Sequence, residues 1–235
     1  MRFVMALILA VTAQVACAQK RDNDYYLARG DKDLGALLAT VEKYHLQKGL
    51  DAVRSKHYLY AHGDLNFILN YFPNHPTALL AMGDLCEAWR DSRCNIEAYF
   101  EKALQISPNN ERLHLTRGIY LQKRGRLDSA VESYKKALEL DPTSANAHYN
   151  LGLALVAQKK FDLANQHAQE AYSRGITLPG LQEKLIAAKA WKPVPPASVR
   201  EKVGSAPASN NPFETQPTVS PPVQSDHQPI GGTPN

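Results

Sequence analysis

Long apolar runs are scarce: past the first eighteen residues, no stretch approaches the roughly eighteen apolar residues that read as a membrane-spanning helix. Concentrated charge is missing too. No run of five or more Lys or Arg occurs, and the net charge of +4 is spread along the chain. A phosphate backbone needs a dense basic face, so nucleic acid is excluded as a partner. Catalytic signatures are equally absent: there is no G-x-S-x-G, no phosphate loop and no H-E-x-x-H. The composition is that of a soluble, non-enzymatic chain with no cofactor and no metal. Cysteine is sparse, with Cys17, Cys86 and Cys94 the three in 235 residues.

What is present begins with "MRFVMALILAVTAQVACA": one Arg, an apolar run from Phe3 to Ala13, then small residues. That is the three-part layout of a secretory leader. Ala16 and Ala18 fit a peptidase that cuts before Gln19, leaving a periplasmic or secreted chain without a transmembrane span. A lipoprotein reading stays open, with Cys17 as an acylated first residue at the outer membrane. Gln14 stands where that signal usually has Leu or Val.

Pro73, Pro108 and Pro142 recur in "YFPNHP", "ISPNNE" and "LDPTSA", each after an apolar helical run and before a polar turn. The spacing is close to 34 residues, a period typical of helical repeats. In the same register Gly83, Gly118 and Gly152 fall midway along first helices, and Ala61, Ala103, Ala130 and Ala137 along second helices. Small residues at a helix crossing let larger neighbours interlock, so Gly118 is expected opposite Ala130 and Gly83 opposite Glu97.

"GIYLQKRGRLDSAVESYKKALELDP" (118–142) and "AHYNLGLALVAQKKFDLANQHAQEA" (147–171) resemble tetratricopeptide repeats. The resemblance implies an all-α, right-handed superhelical solenoid of helix hairpins. Four units are expected at 42–75, 76–110, 111–144 and 145–178, the first degenerate. A lead segment (19–41) precedes them and a capping helix (179–191) follows. Residues 192–235 hold ten of the fifteen prolines and almost no large apolar residue, so a disordered tail is expected there. The ending "EAYSRGITLPGLQEKLIAAKAW" resembles small exported repeat proteins of Gram-negative bacteria.

With Cys17 removed by export, Cys86 and Cys94 form an even pair in an oxidising compartment. In an antiparallel hairpin facing residues have a constant sum, and Cys86 with Cys94 shares the sum of Gly83 with Glu97. A structural disulfide across the hairpin mouth is the expectation. Two packed free thiols, or a metal or redox site, remain the alternatives, although C-x-x-C spacing and further nearby ligands are lacking. Eight histidines invite a search for a cluster. His114 and His148 are one repeat apart, so they report the repeat; His57 and His62 point to different sides of a helix.

The resemblance also implies a ligand face built from the second, fifth and ninth positions of each first helix. Here these are Lys43, Leu46, Leu50; Thr77, Leu80, Asp84; Arg112, Leu115, Ile119; and Asn146, Tyr149, Leu153. Relatives that grip a chaperone's terminal carboxylate use Lys, Asn and Arg at the fifth and ninth positions, and that clamp is absent. An apolar stripe near Arg112 and Asp84 instead suits an apolar or amphipathic peptide. Some of these residues could equally be covered by the lead segment or the capping helix. Two functions follow: an exported, non-catalytic scaffold that binds a protein or peptide, or an outer-membrane assembly factor of a secretion or pilus machine anchored through Cys17.

Overall fold

The computed structural model describes residues 22–193; the expected leader with Cys17, and the tail from 194, lie outside the described residues. Within them the chain is helical and without strands. A short α1 (Tyr25–Ala28) is followed by α2 (Lys32–Val41), which passes through a π-helical turn (Glu42–Leu46) into α3 (Gln47–Arg54). Then come α4 (Tyr58–Tyr71), α5 (Pro76–Trp89), α6 (Ile96–Ile106), α7 (Glu111–Lys123) and α8 (Leu127–Leu140). The series closes with α9 (Ala145–Ala157), α10 (Phe161–Ser173) and α11 (Gly180–Ala187).

The helices pair as hairpins α3–α4, α5–α6, α7–α8 and α9–α10, and each first helix also packs on the first helix of the next hairpin. α11 lies on α9 and α10. The boundary expected at residue 42 falls at the start of the π turn, so the lead and the first hairpin share one uninterrupted run of helical backbone.

Turn chemistry explains the period. Each of Pro73, Pro108 and Pro142 sits two residues past a helix end, where a residue without an N–H cannot continue the helix. Two residues further on stands the next cap. His75 accepts from the Ala78 N–H (3.2 Å), Asn110 from Leu113 (3.2 Å) and Ser144 from Ala147 (3.4 Å). These turns are cross-linked in sequence: His75 meets Glu42 (3.0 Å), Asn74 donates to the Ser107 hydroxyl (2.7 Å), and Ser144 donates to Glu111 (2.6 Å). Each of these pairs spans 33 residues, one repeat.

The core is filled through the glycines. A methyl group at Gly83 would lie 2.7 Å from the Tyr120 ring of the next hairpin. At Gly152 it would lie 2.6 Å from Leu181 of α11, and 3.5 Å from the Ala164 carbonyl of its own hairpin. At Gly49 it would lie 3.0 Å from Leu65, and at Gly118 it would enter the ring of Tyr134. The expectation of Gly against Ala is thus refined: each of these four glycines is a hole that receives a bulky side chain. Gly83 neighbours Ile96, not Glu97, which pairs with Arg126 at the surface (2.7 Å).

That shift arises where the second hairpin differs from the others. Its turn runs over 90–95, against 124–126 and 158–160 in the next two, and Arg90 adopts a left-handed conformation at φ 54°. Asp91 takes two hydrogen bonds from the Arg93 guanidinium (both 2.8 Å), and this contact holds its carboxyl down at about 2. Arg93 also lies over Trp89, 4.7 Å from the ring centroid. Cys86 and Cys94 are joined, Cα to Cα 5.0 Å, closing this longer turn. On a chain-entropy model so short a loop contributes about 2.5 kcal/mol.

Tyr134 is fully buried and its hydroxyl donates to Gln122 (2.8 Å), so the ring cannot swing aside. Gly118→Ala is expected to lose about 2 kcal/mol despite the better helix propensity of alanine, because overpacking outweighs it. Urea unfolding followed by circular dichroism measures this; an unchanged or raised midpoint would contradict the packing described.

Candidate functional site

The face expected to bind a partner lies on α5, α7 and α9. Their outward residues follow from the helical period, but burial divides them. Leu115 and Tyr149 are only 3% and 8% exposed. Tyr149 is covered by the start of α11: Gly180 stands over its hydroxyl, and its ring meets Tyr172 edge-on at 6.5 Å. Burial pushes the Tyr149 hydroxyl up, while the backbone of Leu181 and Gly180 pulls it the other way. Leu80, Ile119 and Leu153 are half-buried, each resting on the core with one side toward solvent. One aliphatic side chain per first helix is therefore presented on three successive hairpins.

The polar members of the face are tied to the scaffold. Asp84 receives Lys123 (2.8 Å) and Arg124 (2.9 Å), and Arg124 also donates to the Gly83 carbonyl (2.9 Å). Since Arg124 stacks over Tyr120, the residue that fills the Gly83 hole, this cluster bolts the second hairpin to the third. Arg112 lies 3.9 Å from Glu111, whose carboxyl is pushed up by burial and drawn down by Ser144. The Asn146 carbonyl accepts from Asn150 (2.9 Å), and Thr77 is half-buried. In the first hairpin Leu46 and Leu50 rest on the core, whereas Lys43 reaches back over the Tyr44 ring (5.3 Å). Lys43 and Leu46 lie in the π turn, whose wider spacing puts this triplet out of step with the others.

Sequence reasoning did not foresee the strap at the edge of this face. α1 docks along the turns: Tyr25 N–H donates to Asn74 (2.7 Å), Asn23 N–H to the Tyr71 carbonyl (2.8 Å), and Asp24 meets the Ser107 hydroxyl. Tyr25 also packs on His75 with ring centroids 4.6 Å apart. Between strap and α7 lies a cleft of ≈ 420 Å³ lined by Tyr26, Arg29, Asn109, Asn110, Glu111 and Arg112. The pair Tyr25–Tyr26 just after a helix-capping Asp24 was the available signal.

The histidines serve the scaffold. His114 and His148 each meet the carbonyl of the proline six residues earlier, Pro108 (2.9 Å) and Pro142 (3.1 Å), as their equivalent positions require. His45 pairs with Asp64 (2.7 Å) and stacks on Phe67. Among the described residues, no group of three or more His, Cys, Asp or Glu is arranged to hold a metal ion, and no helix is long and apolar enough to cross a membrane.

The profile of the TPR repeat family matches residues 121–159, from the end of α7 through α8 and α9. No curated protein matches the chain. Similar solved structures include PilW, described as a type IV pilus biogenesis factor, at 21% identity and TM-score 0.48, covering 64% of this chain and 71% of that one. PilF of Pseudomonas aeruginosa is similar at 19% identity and TM-score 0.48, covering 65% and 71%. A MamA protein is similar at 15% identity and TM-score 0.45, covering 65% and 83%.

One contact makes the fold sensitive to acid. His148 and His167 share a hydrogen bond between their Nδ1 atoms (2.9 Å). Because Nε2 of His148 faces a carbonyl, that nitrogen carries the proton, so His167 donates and His148 accepts. Burial, then the His148 ring, draws His167 down to about 4; burial also lowers His148, opposed by the Pro142 carbonyl, Glu170 and Asp141, while Arg174 reinforces it. Both rings are thus neutral in the folded state. The unfolded chain takes up protons first, so their contribution is present above an ordinary pKa of about 6.5 and is lost as pH falls toward about 4. His167→Asn, which keeps a donor, should flatten that loss by roughly 2 kcal/mol. Denaturation midpoints between neutral and acid pH check it; identical pH slopes in the two chains would refute it.

Proposed function

Because the chain carries tetratricopeptide repeats, we propose that it is a non-catalytic scaffold that binds an apolar or amphipathic peptide segment of a protein partner. The observation that supports this reading is the row of half-buried aliphatics, Leu80, Ile119 and Leu153, one on each of three successive first helices. Buried Leu115 and Tyr149 support the floor and the capped end of that row, so contact with a partner falls to their neighbours. Asp84 is neutralised by Lys123 and Arg124. Recognition therefore rests on apolar contact, with Arg112 and Asn146 at the rim.

The reading places the protein in the periplasm or outside the cell. A bond between Cys86 and Cys94 fits an oxidising compartment. In the second reading Cys17 carries lipid and the scaffold serves as an outer-membrane assembly factor for a secretion or pilus-type machine. Mass spectrometry of the mature N-terminus is expected to find free or cyclised Gln19; a diacylglyceryl Cys17 would establish the second reading in its place.

The partner face is tested by placing a photo-crosslinking residue at Ile119 or Leu153 in the native envelope. One and the same adduct is expected from both positions, and Leu80→Asp, on the neighbouring hairpin, should reduce it roughly tenfold. Adducts formed only from positions in the proline-rich tail would move recognition to the C-terminus and defeat the proposal.

A further inference from the structure

The outward face of α4 departs from the pattern of the second helices α8 and α10. Leu59, Tyr60 and Phe67 are 61%, 76% and 38% exposed, and Gly63 stands exposed among them. Aligned through the turn prolines, the same positions read Asp128, Ser129, Lys136 and Glu132 in α8, and Asp162, Leu163, Glu170 and Gln166 in α10. Those are mostly ordinary solvated residues. An apolar stripe at the first hairpin alone is the reverse of the polar outer face that an end repeat needs for solubility.

Gly63 sharpens the point. Gly49, Gly83, Gly118 and Gly152 are each occupied by a bulky side chain, whereas a methyl group at Gly63 would meet nothing within 4 Å. An exposed glycine in mid-helix costs about 1 kcal/mol in helix propensity, and Gly63 has no packing role among the described residues. It is an unfilled hole of the kind that the rest of the molecule fills.

The stripe is also matched to itself. When two α4 helices cross antiparallel at Gly63, facing residues sum to twice that number, so Leu59 of each chain opposes Phe67 of the other. That apolar contact then forms twice, with the glycines at the point of closest approach. Tyr60 flanks the crossing on each side. We propose that α4 is a two-fold docking face for a second copy of this chain, packed antiparallel across Gly63. One helix face per partner makes a small interface, so the association is expected to be weak and reversible.

Sedimentation velocity on the full chain, disulfide intact, tests this. Reversible dimers are expected to appear between low and high micromolar concentration. Gly63→Lys should abolish them while leaving the helical signal intact, since the position is open to solvent. Gly63→Ala should raise the melting temperature of the monomer yet weaken dimerisation roughly tenfold. Mixing Leu59→Lys with Phe67→Glu should restore association that neither variant shows alone, as the antiparallel register requires. A chain that stays monomeric throughout, a Gly63→Lys variant that dimerises as before, or a crosslinker at Tyr60 that captures the chain's own tail or another protein would each overturn the proposal. The partner-binding face on α5, α7 and α9 is independent of these outcomes.

Discussion

The structure depends on one steric arrangement: a glycine in the first helix of each hairpin, filled by a large side chain from the second helix, the next hairpin or the cap. Gly118 takes Tyr134, Gly83 takes Tyr120 and Gly152 takes Leu181. A hole filled by a knob fixes both the distance and the rotation between two helices, because only one rotation aligns them. Tyr120 and Leu181 do so across a hairpin boundary, so local packing and stacking are set by the same kind of contact. Side chains that would otherwise drift, including Leu80, Ile119 and Leu153, inherit their positions from these crossings.

Polar contacts add register along the edge. The bonds from His75 to Glu42, Asn74 to Ser107 and Ser144 to Glu111 link successive turns, and α1 lies across the first two of these links. Their donors and acceptors are partly or wholly buried, where an unmatched group costs more than a matched one gains. The stack is consequently intolerant of a slipped turn. The Asp84, Lys123 and Arg124 cluster acts similarly between the second and third hairpins, which leaves apolar surface as the main feature of the candidate face.

Much of the architecture was legible in the chain because the repeat states it several times. Pro73, Pro108 and Pro142, each followed two residues later by a capping side chain, mark the turns, and the glycine period marks the first helices. Cys86 and Cys94 could be paired because antiparallel geometry ties sequence distance to spatial distance over one turn. Features that occur once were not legible. The π turn at Glu42–Leu46 is an insertion with no second copy to reveal it, and docking of α1 depends on contacts 48 or more residues away, such as Asn23 with Tyr71. That some face residues are covered was an open alternative in the sequence, but which ones, Leu115 and Tyr149, was not legible, since a fifth position reads the same whether a neighbour covers it or not.

The two ends of the stack meet the problem of a repeat array differently. Every hairpin creates a face that the next one must cover, and the last face here is closed from within: α11 sends Leu181 into Gly152 and buries Leu185 beside it. At the first hairpin, the strap crosses the edge of the turns and leaves Leu59 and Tyr60 of α4 exposed among the described residues, while Phe67 is partly covered by His45 and Tyr71. A charged stripe there would have cost nothing in packing, as Asp128, Glu132 and Lys136 illustrate on α8. Among the described residues Leu59 and Tyr60 stay open to solvent beside an unfilled glycine, and Phe67 is covered on one side by His45. Packing two copies across Gly63 closes this face differently from the crossings within the chain: the paired glycines let the helices approach, and Leu59 of each copy meets Phe67 of the other.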